Sequence, residues 1–190
     1  MFKFSESTKR KLGNAIVYIA YHTSGLCRNK LLKLLYLMEE HMALKYHVPF
    51  IGMPYEVWQA GPVAKDVFID LSDVPYILKG FVRTEFRDGG IFIEDSEFSK
   101  CEIEIMDYVL VRYGNMTASD LFLETCKKDS LWYRAAVRTG LLETFNRQEC
   151  NNSDLQINFA EVMSDSSAEV YCESLNIRQT ANLLNVEFYV

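Results

Sequence analysis

Length, composition and charge already narrow the class of protein. A chain of 190 residues, with 49% hydrophobic and 24% charged residues, suits one folded domain with an appendage and excludes a disordered chain. Its formal net charge is -6, and general nucleic-acid binding is disfavoured because it depends on neutralising phosphates. No apolar run approaches the roughly 20 residues of a membrane-spanning helix, so no membrane association is expected.

The chain is predicted to open with two helices. Apolar residues at helical spacing predict a helix over residues 5–22 and a second over residues 29–47, with Asn29 as the N-cap of the second. The second helix carries its leucines and methionines on one face. Lys30 and Lys33 are predicted to lie mostly off that face.

A loop rich in aromatic residues is predicted to follow. Residues 49–60 contain two prolines and a glycine together with Tyr55 and Trp58. Proline suits the first position of a helix, where its missing N–H is not needed. Gly61-Pro62-Val63 therefore predicts the start of a third helix.

The middle of the chain predicts a β-hairpin and then a capped helix. Residues 80–86 and 91–94 alternate between apolar and polar side chains, and the Asp-Gly-Gly between them suits a tight turn. Ser99 and Glu102 have the spacing of a capping box, which predicts a helix ending near Tyr113.

Further helices are predicted towards the C-terminus. Thr117 predicts the start of one, and Asp129 the start of another that ends at Gly140. Residues 151–153 are predicted to be a linker. A helix capped by Ser164 follows to about residue 175, and residues 177–185 suit one more.

The predicted fold class is mainly α. It comprises a compact helical domain over residues 1–148 with one small β-hairpin, and a helical C-terminal extension over residues 149–190 that packs on or beside it. Charge is distributed unevenly: residues 1–48 carry a net +5, whereas residues 151–190 carry six acidic residues and only Arg178, a net -5. The acidic C-terminal segment is therefore predicted to be a separate structural unit.

Motifs for catalysis or metal binding are scarce. The three histidines lack metal-ligand spacing, and there is no Cys-x-x-Cys, P-loop or Gly-x-Ser-x-Gly. Lys127 and Lys128 beside Cys126 could lower the pKa of its thiol, but a half-buried structural cysteine is the favoured interpretation. We expect no enzyme activity, no metal and no cofactor. Five scattered cysteines favour free thiols in a reducing cytoplasm.

Two kinds of partner are compatible with the sequence. Basic residues at 9–11, with Arg28, Lys30 and Lys33, lie beside an opening that resembles a helix-turn-helix, so a winged-helix DNA-binding regulator is one alternative. Solvated charged faces explain the same residues more simply.

Aromatic residues at predicted loops and helix starts point to a protein partner instead. Trp58 precedes one predicted helix start and Trp132 follows another, with Tyr55 nearby. Exposed Trp and Tyr dominate protein-binding hot spots, although the same residues also serve as core anchors. A protein-binding groove is the functional interpretation.

An ordered set of motifs resembles the Panacea domain family, also called SocA-like or GepA-like, over about residues 8–140. The matching segments are Leu31-Leu-Lys-Leu-Leu-Tyr-Leu37, Tyr55-Glu-Val-Trp-Gln-Ala-Gly-Pro-Val63, Glu104–Gly114, and Thr125 followed by Trp132.

The chain departs from the family pattern at three positions. Glu39 stands where the family usually has Asp, Cys126 where it has His, and Leu131 where it has Pro. Any chemistry of that histidine is therefore not shared by this chain.

The resemblance implies a bacterial or phage antitoxin that neutralises a cognate protein toxin by direct binding, without catalysis or a cofactor. The alternative is a winged-helix transcriptional regulator that binds the operator DNA of its own operon, and a homodimer is left open. The residues predicted to contact the partner are Tyr55, Trp58, Gln59, Asp129 and Trp132. The residues predicted to shape the domain are Leu35, Tyr36, Gly61, Pro62 and Val63.

Overall fold

The computed structural model describes residues 2–72, 75–79 and 97–185. Within them the chain forms eight α-helices and one two-stranded antiparallel hairpin, which confirms the predicted mainly-α fold with a C-terminal helix. The elements are α1 Glu6–His22, α2 Arg28–Tyr46, β1 Glu56–Trp58, β2 Gly61–Val63, α3 Lys65–Asp70, α4 Lys100–Tyr113, α5 Ala118–Thr125, α6 Leu131–Arg138, α7 Leu141–Asn146, a short 3-10 helix Phe159–Val162, and α8 Asp165–Leu184.

The hairpin described by the structure lies earlier in the chain than the predicted one. β1 and β2 pair in the segment predicted to be a loop and a helix start, whereas the hairpin predicted over residues 80–86 and 91–94 lies outside the described residues. The prediction that Gly61-Pro62-Val63 begins a helix is wrong. Only two residues separate Trp58 from Gly61, whose φ of 95° is a left-handed conformation suited to glycine and not to a helix. Helix α3 begins at Lys65 instead.

Helix α2 forms the centre of the fold. It contacts α1, α3, α4, α5, β2 and the 3-10 helix, so it has no broad solvated face. The prediction that Lys30 and Lys33 lie mostly off the apolar face therefore misjudged their surroundings, because both are buried. The Nζ of Lys30 donates to the carbonyl oxygen of Ser24, and the Nζ of Lys33 to that of Pro62, each at 3.0 Å.

Side-chain caps set several helix starts as predicted. Ser99 accepts from the backbone N–H of Glu102 while the Glu102 carboxylate accepts from the N–H of Ser99, which confirms the capping box. Thr117 forms the same arrangement with Asp120 at the start of α5. Each box satisfies backbone donors that a helix leaves free in its first turn.

Two predicted helix starts are displaced. Helix α2 begins at Arg28, so Asn29 is not its cap; Cys27 takes that position without a side-chain bond. Helix α6 is capped by Ser130 and not by Asp129. An N-cap residue is extended, which fits the φ of -62° and ψ of 159° at Ser130 and not the φ of 70° at Asp129.

The segment predicted as a linker runs beside β1. The carbonyl oxygen of Asn151 accepts from the N–H of Gln59, and that of Leu155 accepts from the N–H of Val57, each at 2.9 Å. Ser153 adds a bond from its hydroxyl to the carbonyl oxygen of Val57 at 2.6 Å. These bonds hold the segment along the outer edge of β1, where Gln156 forms an isolated antiparallel bridge with Glu56, without making it a strand of the sheet.

The C-terminal helix is longer than expected. Residues 165–184 form one continuous helix and not two, capped by Ser164 as predicted. Asn182 accepts through its side-chain oxygen from the hydroxyl of Ser5 at 2.9 Å and from that of Thr8 at 2.6 Å. Helix α8 is thereby fixed to the start of α1. The domain boundary at residues 148–149 stays a prediction.

Candidate protein-binding site

Trp132 connects α6 to the hairpin and to α7. Its side chain is 4% exposed, and its indole N–H donates to the carbonyl oxygen of Trp58 at 2.9 Å. Its ring stacks on Phe145, with centroids 6.3 Å apart and planes at 15°. A buried indole needs a hydrogen-bond acceptor, and the hairpin supplies it. The three elements are therefore held in one fixed arrangement.

A hollow of about 380 Å³ opens beside this arrangement, between α5, α6, α7 and the hairpin turn. Gln59 stabilises one side of the hollow, because its side-chain amide donates to the carbonyl oxygen of Phe145 at 3.0 Å. Leu123 is 65% exposed. The lining residues are Gln59, Phe122, Leu123, Cys126, Lys127, Trp132, Tyr133, Leu142, Phe145 and Asn146. An apolar lining with a few polar groups is typical of a site that accepts a partner's side chains.

The structure brings three of the five predicted contact residues together. Gln59 and Trp132 both line the hollow, and Trp58 contributes the carbonyl group that holds Trp132. The side chain of Trp58 points elsewhere: its indole N–H donates to Glu56 at 2.8 Å, and its ring meets Phe68 edge-on at 5.2 Å. Trp58 therefore supports the hollow without lining it.

The other two predicted contact residues lie apart from the hollow. Tyr55 is 1% exposed, with its ring 5.4 Å from that of Tyr36 and its hydroxyl unpaired among the described residues. Asp129 is exposed, and its carbonyl oxygen accepts from the guanidinium of Arg134 at 3.0 Å. Contacts of Tyr55 and Asp129 with a partner stay predictions.

The five residues predicted to shape the domain are all buried. Leu35 and Tyr36 lie on α2, and the Tyr36 hydroxyl donates to Glu40 at 2.7 Å. Residues 61–63 form β2. None of the five residues lines the hollow.

The buried amine of Lys33 and the thiol of Cys126, which lines the hollow, both lie close to Gly61, and nothing in the sequence predicted this arrangement. A Cβ atom placed on Gly61 would lie 2.8 Å from the Nζ of Lys33 and 2.9 Å from the Sγ of Cys126. Burial lowers the pKa of Lys33 to about 8 and raises the pKa of Cys126 to about 11. Desolvation is therefore the main influence on the pKa of the Cys126 thiol, and it outweighs the lowering that Lys127 and Lys128 suggested.

One signal could have revealed Lys33. Lys33 stands between two pairs of leucines in a stretch of α2 that is almost entirely apolar. This pattern is compatible with a buried position for Lys33. The sequence does not reveal that the carbonyl oxygen of Pro62 accepts from Lys33, because the two residues are 29 positions apart.

Cys126 should react slowly with alkylating reagents. A pKa near 11 leaves about 100-fold less thiolate at pH 8 than an ordinary cysteine has, and the thiolate is the nucleophile. Mass spectrometry after iodoacetamide treatment at pH 8 should show Cys126 labelled far later than the exposed Cys172. In denaturant the two rates should converge. Equal rates in the folded protein would contradict the assigned pKa.

Other chemical features are few in the part of the chain that the structure describes. No group of three or more His, Cys, Asp or Glu side chains there could hold a metal ion. No helix among those residues combines the length and apolarity needed to cross a membrane. The five cysteines are free thiols.

These features define a small helical domain built around one enclosed helix, with a solvent-facing hollow beside a hairpin. The family model of the SocA-like antitoxins, the Panacea domain, matches residues 31–133, which is more than half of the chain. The chain belongs to this family. Searches of curated proteins and of solved structures found no match. The family supports an antitoxin-type role, and the matched range contains most of α2, the hairpin and most of the residues that line the hollow.

Proposed function

We propose that this protein neutralises a cognate protein toxin by binding it directly, as a non-enzymatic antitoxin in the cytoplasm of a bacterial or phage-infected cell. The observation that carries the proposal is the hollow at the hairpin, which lies largely inside the residues matched by the antitoxin family. Neutralisation by contact needs an exposed surface, and a preformed hollow lowers the conformational cost of binding the toxin there.

The hollow would accept an apolar side chain of the toxin. Trp132 and Phe145 are already stacked and Gln59 is already bonded, so little conformational freedom remains to be lost on binding. A side chain inserted there would be shielded from water on several sides, as energetically dominant contacts are. Lys127 and Asn146 offer polar groups within the same lining.

The alternative of a DNA-binding regulator gains no support from the basic residues that suggested it. Lys9, Arg10 and Lys11 each pair with a glutamate. Lys30 and Lys33 are buried and donate to backbone carbonyl groups. Arg28 lies over the ring of Phe68, 4.4 Å from its centroid, and its guanidinium donates to the Ser72 hydroxyl. These six cations therefore do not form an open stripe for phosphates.

Replacing Leu123 with aspartate should weaken toxin binding by at least about tenfold, because it puts a charge into a site that a partner would desolvate. Leu123 is largely exposed in the free protein, so the fold should tolerate the change. The measurement is the affinity for the toxic product of the neighbouring reading frame, together with growth of cells that express both proteins.

Val111→Asp is the matched control. Val111 is 85% exposed in the last turn of α4, does not line the hollow, and receives the same charge at a similar position in its helix. Its variant should bind and protect like the unaltered protein. If Leu123→Asp folds and protects as well as Val111→Asp, the hollow is not the contact surface.

A further inference from the structure

The inner face of α8 is firmly anchored. Tyr171 is 3% exposed and its ring contacts Phe159, and Arg178 donates to the carbonyl oxygen of Phe50. The carbonyl oxygen of Leu183 accepts from Lys3 at 2.7 Å. With these contacts along its length, α8 presents its exposed sides at a fixed orientation.

An apolar stripe runs along a second side of α8, about 100–140° round the helix from Tyr171. Val170, Ile177 and Leu184 are spaced by seven residues, which places them on one side of a helix. They are 50%, 52% and 68% exposed. Three large apolar side chains aligned on one exposed side of a helix form a candidate interaction surface.

Ile177 and Leu184 of the stripe also line a broad groove of about 770 Å³. Its described lining comes from α8: Glu169, Cys172, Glu173, Asn176, Ile177, Thr180, Ala181 and Leu184. Glu169 and Glu173 are exposed and form no ion pair within the described residues. Arg178 is the only basic residue of α8, and it faces the interior. Glu169 and Glu173 therefore place negative charge beside the stripe with no outward counter-charge on α8, while the ammonium of Lys3 lies near the C-terminal end of the stripe, at the carbonyl oxygen of Leu183.

We propose that this face of α8 docks a basic amphipathic helix of a partner protein. The seven-residue spacing suits a helix whose apolar side chains repeat at the same interval. The two glutamates favour lysine or arginine at its flanking positions and speed its approach. A second copy of α8 would bring its own acidic residues and no outward cation, so it is the poorer occupant. The further step of identifying this partner protein with the toxin rests on the proposed function.

The test uses the full chain and two designed helical peptides of 21 residues as probes. Both carry leucines at heptad spacing; one has lysines at the flanking positions and the other has glutamates. Fluorescence anisotropy should show the lysine peptide binding at least about tenfold more tightly than the glutamate peptide, with affinity falling as salt rises. Ile177→Asp should abolish binding of both peptides, whereas Val111→Asp should leave it unchanged.

A second variant guards against loss of folding in Ile177→Asp. Glu169→Lys combined with Glu173→Lys alters only exposed residues and leaves the apolar stripe intact, and it should reverse the preference between the two peptides. Equal binding of both peptides, or binding that survives both variants, would overturn the proposal. Sedimentation of a dimer that Ile177→Asp converts to a monomer would also overturn it, in favour of a second copy.

Protection of cells separates this inference from the proposed function. If the unaltered chain protects against the neighbouring toxin and Ile177→Asp protects equally, the toxin does not use α8 and this part of the inference fails while the antitoxin function stands. If the unaltered chain gives no protection, the antitoxin function fails. The peptide measurements then still decide whether α8 binds a basic helix.

Discussion

Replacing Glu39 with alanine is expected to lower the free energy of unfolding by about 3–5 kcal/mol, the scale seen when one partner of a buried charged interaction is removed. Its carboxylate accepts from the backbone N–H groups of Phe50 at 3.0 Å, Ile51 at 2.9 Å and Gly52 at 3.1 Å. Glu39 itself is 1% exposed. Chemical denaturation followed by circular dichroism measures the loss.

The size of the effect follows from what the carboxylate leaves behind. Without it, three N–H groups in the interior have lost their acceptor, and each unsatisfied group is costly. Burial raises the pKa of Glu39, while the three amides and Arg178 act to lower it. The Glu39 side chain thus holds the loop after α2 to the helix. Removing this side chain should make the segment between α2 and the hairpin less ordered.

Glu104→Ala is the matched control for this experiment. Glu104 is exposed on α4 and pairs with Lys45 and Tyr46, so its loss should change the unfolding free energy by less than about 1 kcal/mol. A similarly small change for Glu39→Ala would mean that water replaces the carboxylate at the three amides. The proposed anchoring role would then be wrong.

Local signals in the sequence located most of the helices. The capping boxes at Ser99 and Thr117 and the Ser164 cap all act within three residues of themselves, so their patterns carry the whole interaction. The hairpin had no such signal. Its partner segment, residues 151–157, is nearly a hundred positions away, and three or four extended residues leave too short a pattern to recognise.

The candidate site was only partly visible in the sequence for a related reason. Tyr55 and Val57 face the core while Trp58 lies on the other side of β1, because side chains alternate along a strand. Without knowing that this segment is a strand, its aromatic residues could not be sorted into buried and exposed. Phe145 was missed because its role depends on stacking with Trp132, which sequence spacing does not reveal.

The residues matched by the family do not complete the core alone. Leu12 and Ile19 of α1 are fully buried, and Phe159 and Tyr171 from the C-terminal part join the same hydrophobic cluster. Arg178 of α8 packs over Gly52, where an added Cβ would lie 3.1 Å from its side chain. The acidic end of the chain is therefore in contact with the residues that the family matches.

At Gly61 the hairpin closely approaches Lys33 of α2 and Cys126 at the end of α5. The φ of 95° at Gly61 is a conformation that residues with a Cβ rarely adopt. An added Cβ would also meet Lys33 and Cys126 at less than 3.0 Å. Lys33 is held by its bond to Pro62, so moving its amine aside breaks a hydrogen bond in the interior.

Gly61→Ala should therefore lower the free energy of unfolding by about 2–4 kcal/mol, the sum of backbone strain and overpacking. Gly25→Ala is the matched control, since Gly25 has a φ of 59° with no atom within 4 Å of an added Cβ, and it should cost only about 1 kcal/mol. Because Cys126 supplies one of the two clashes, Cys126→Ala should recover part of the loss in a double-variant cycle. Equal losses for the two glycine variants, with no recovery, would show that strain alone acts at Gly61 and that the contact between Lys33, Cys126 and the hairpin is not tightly packed.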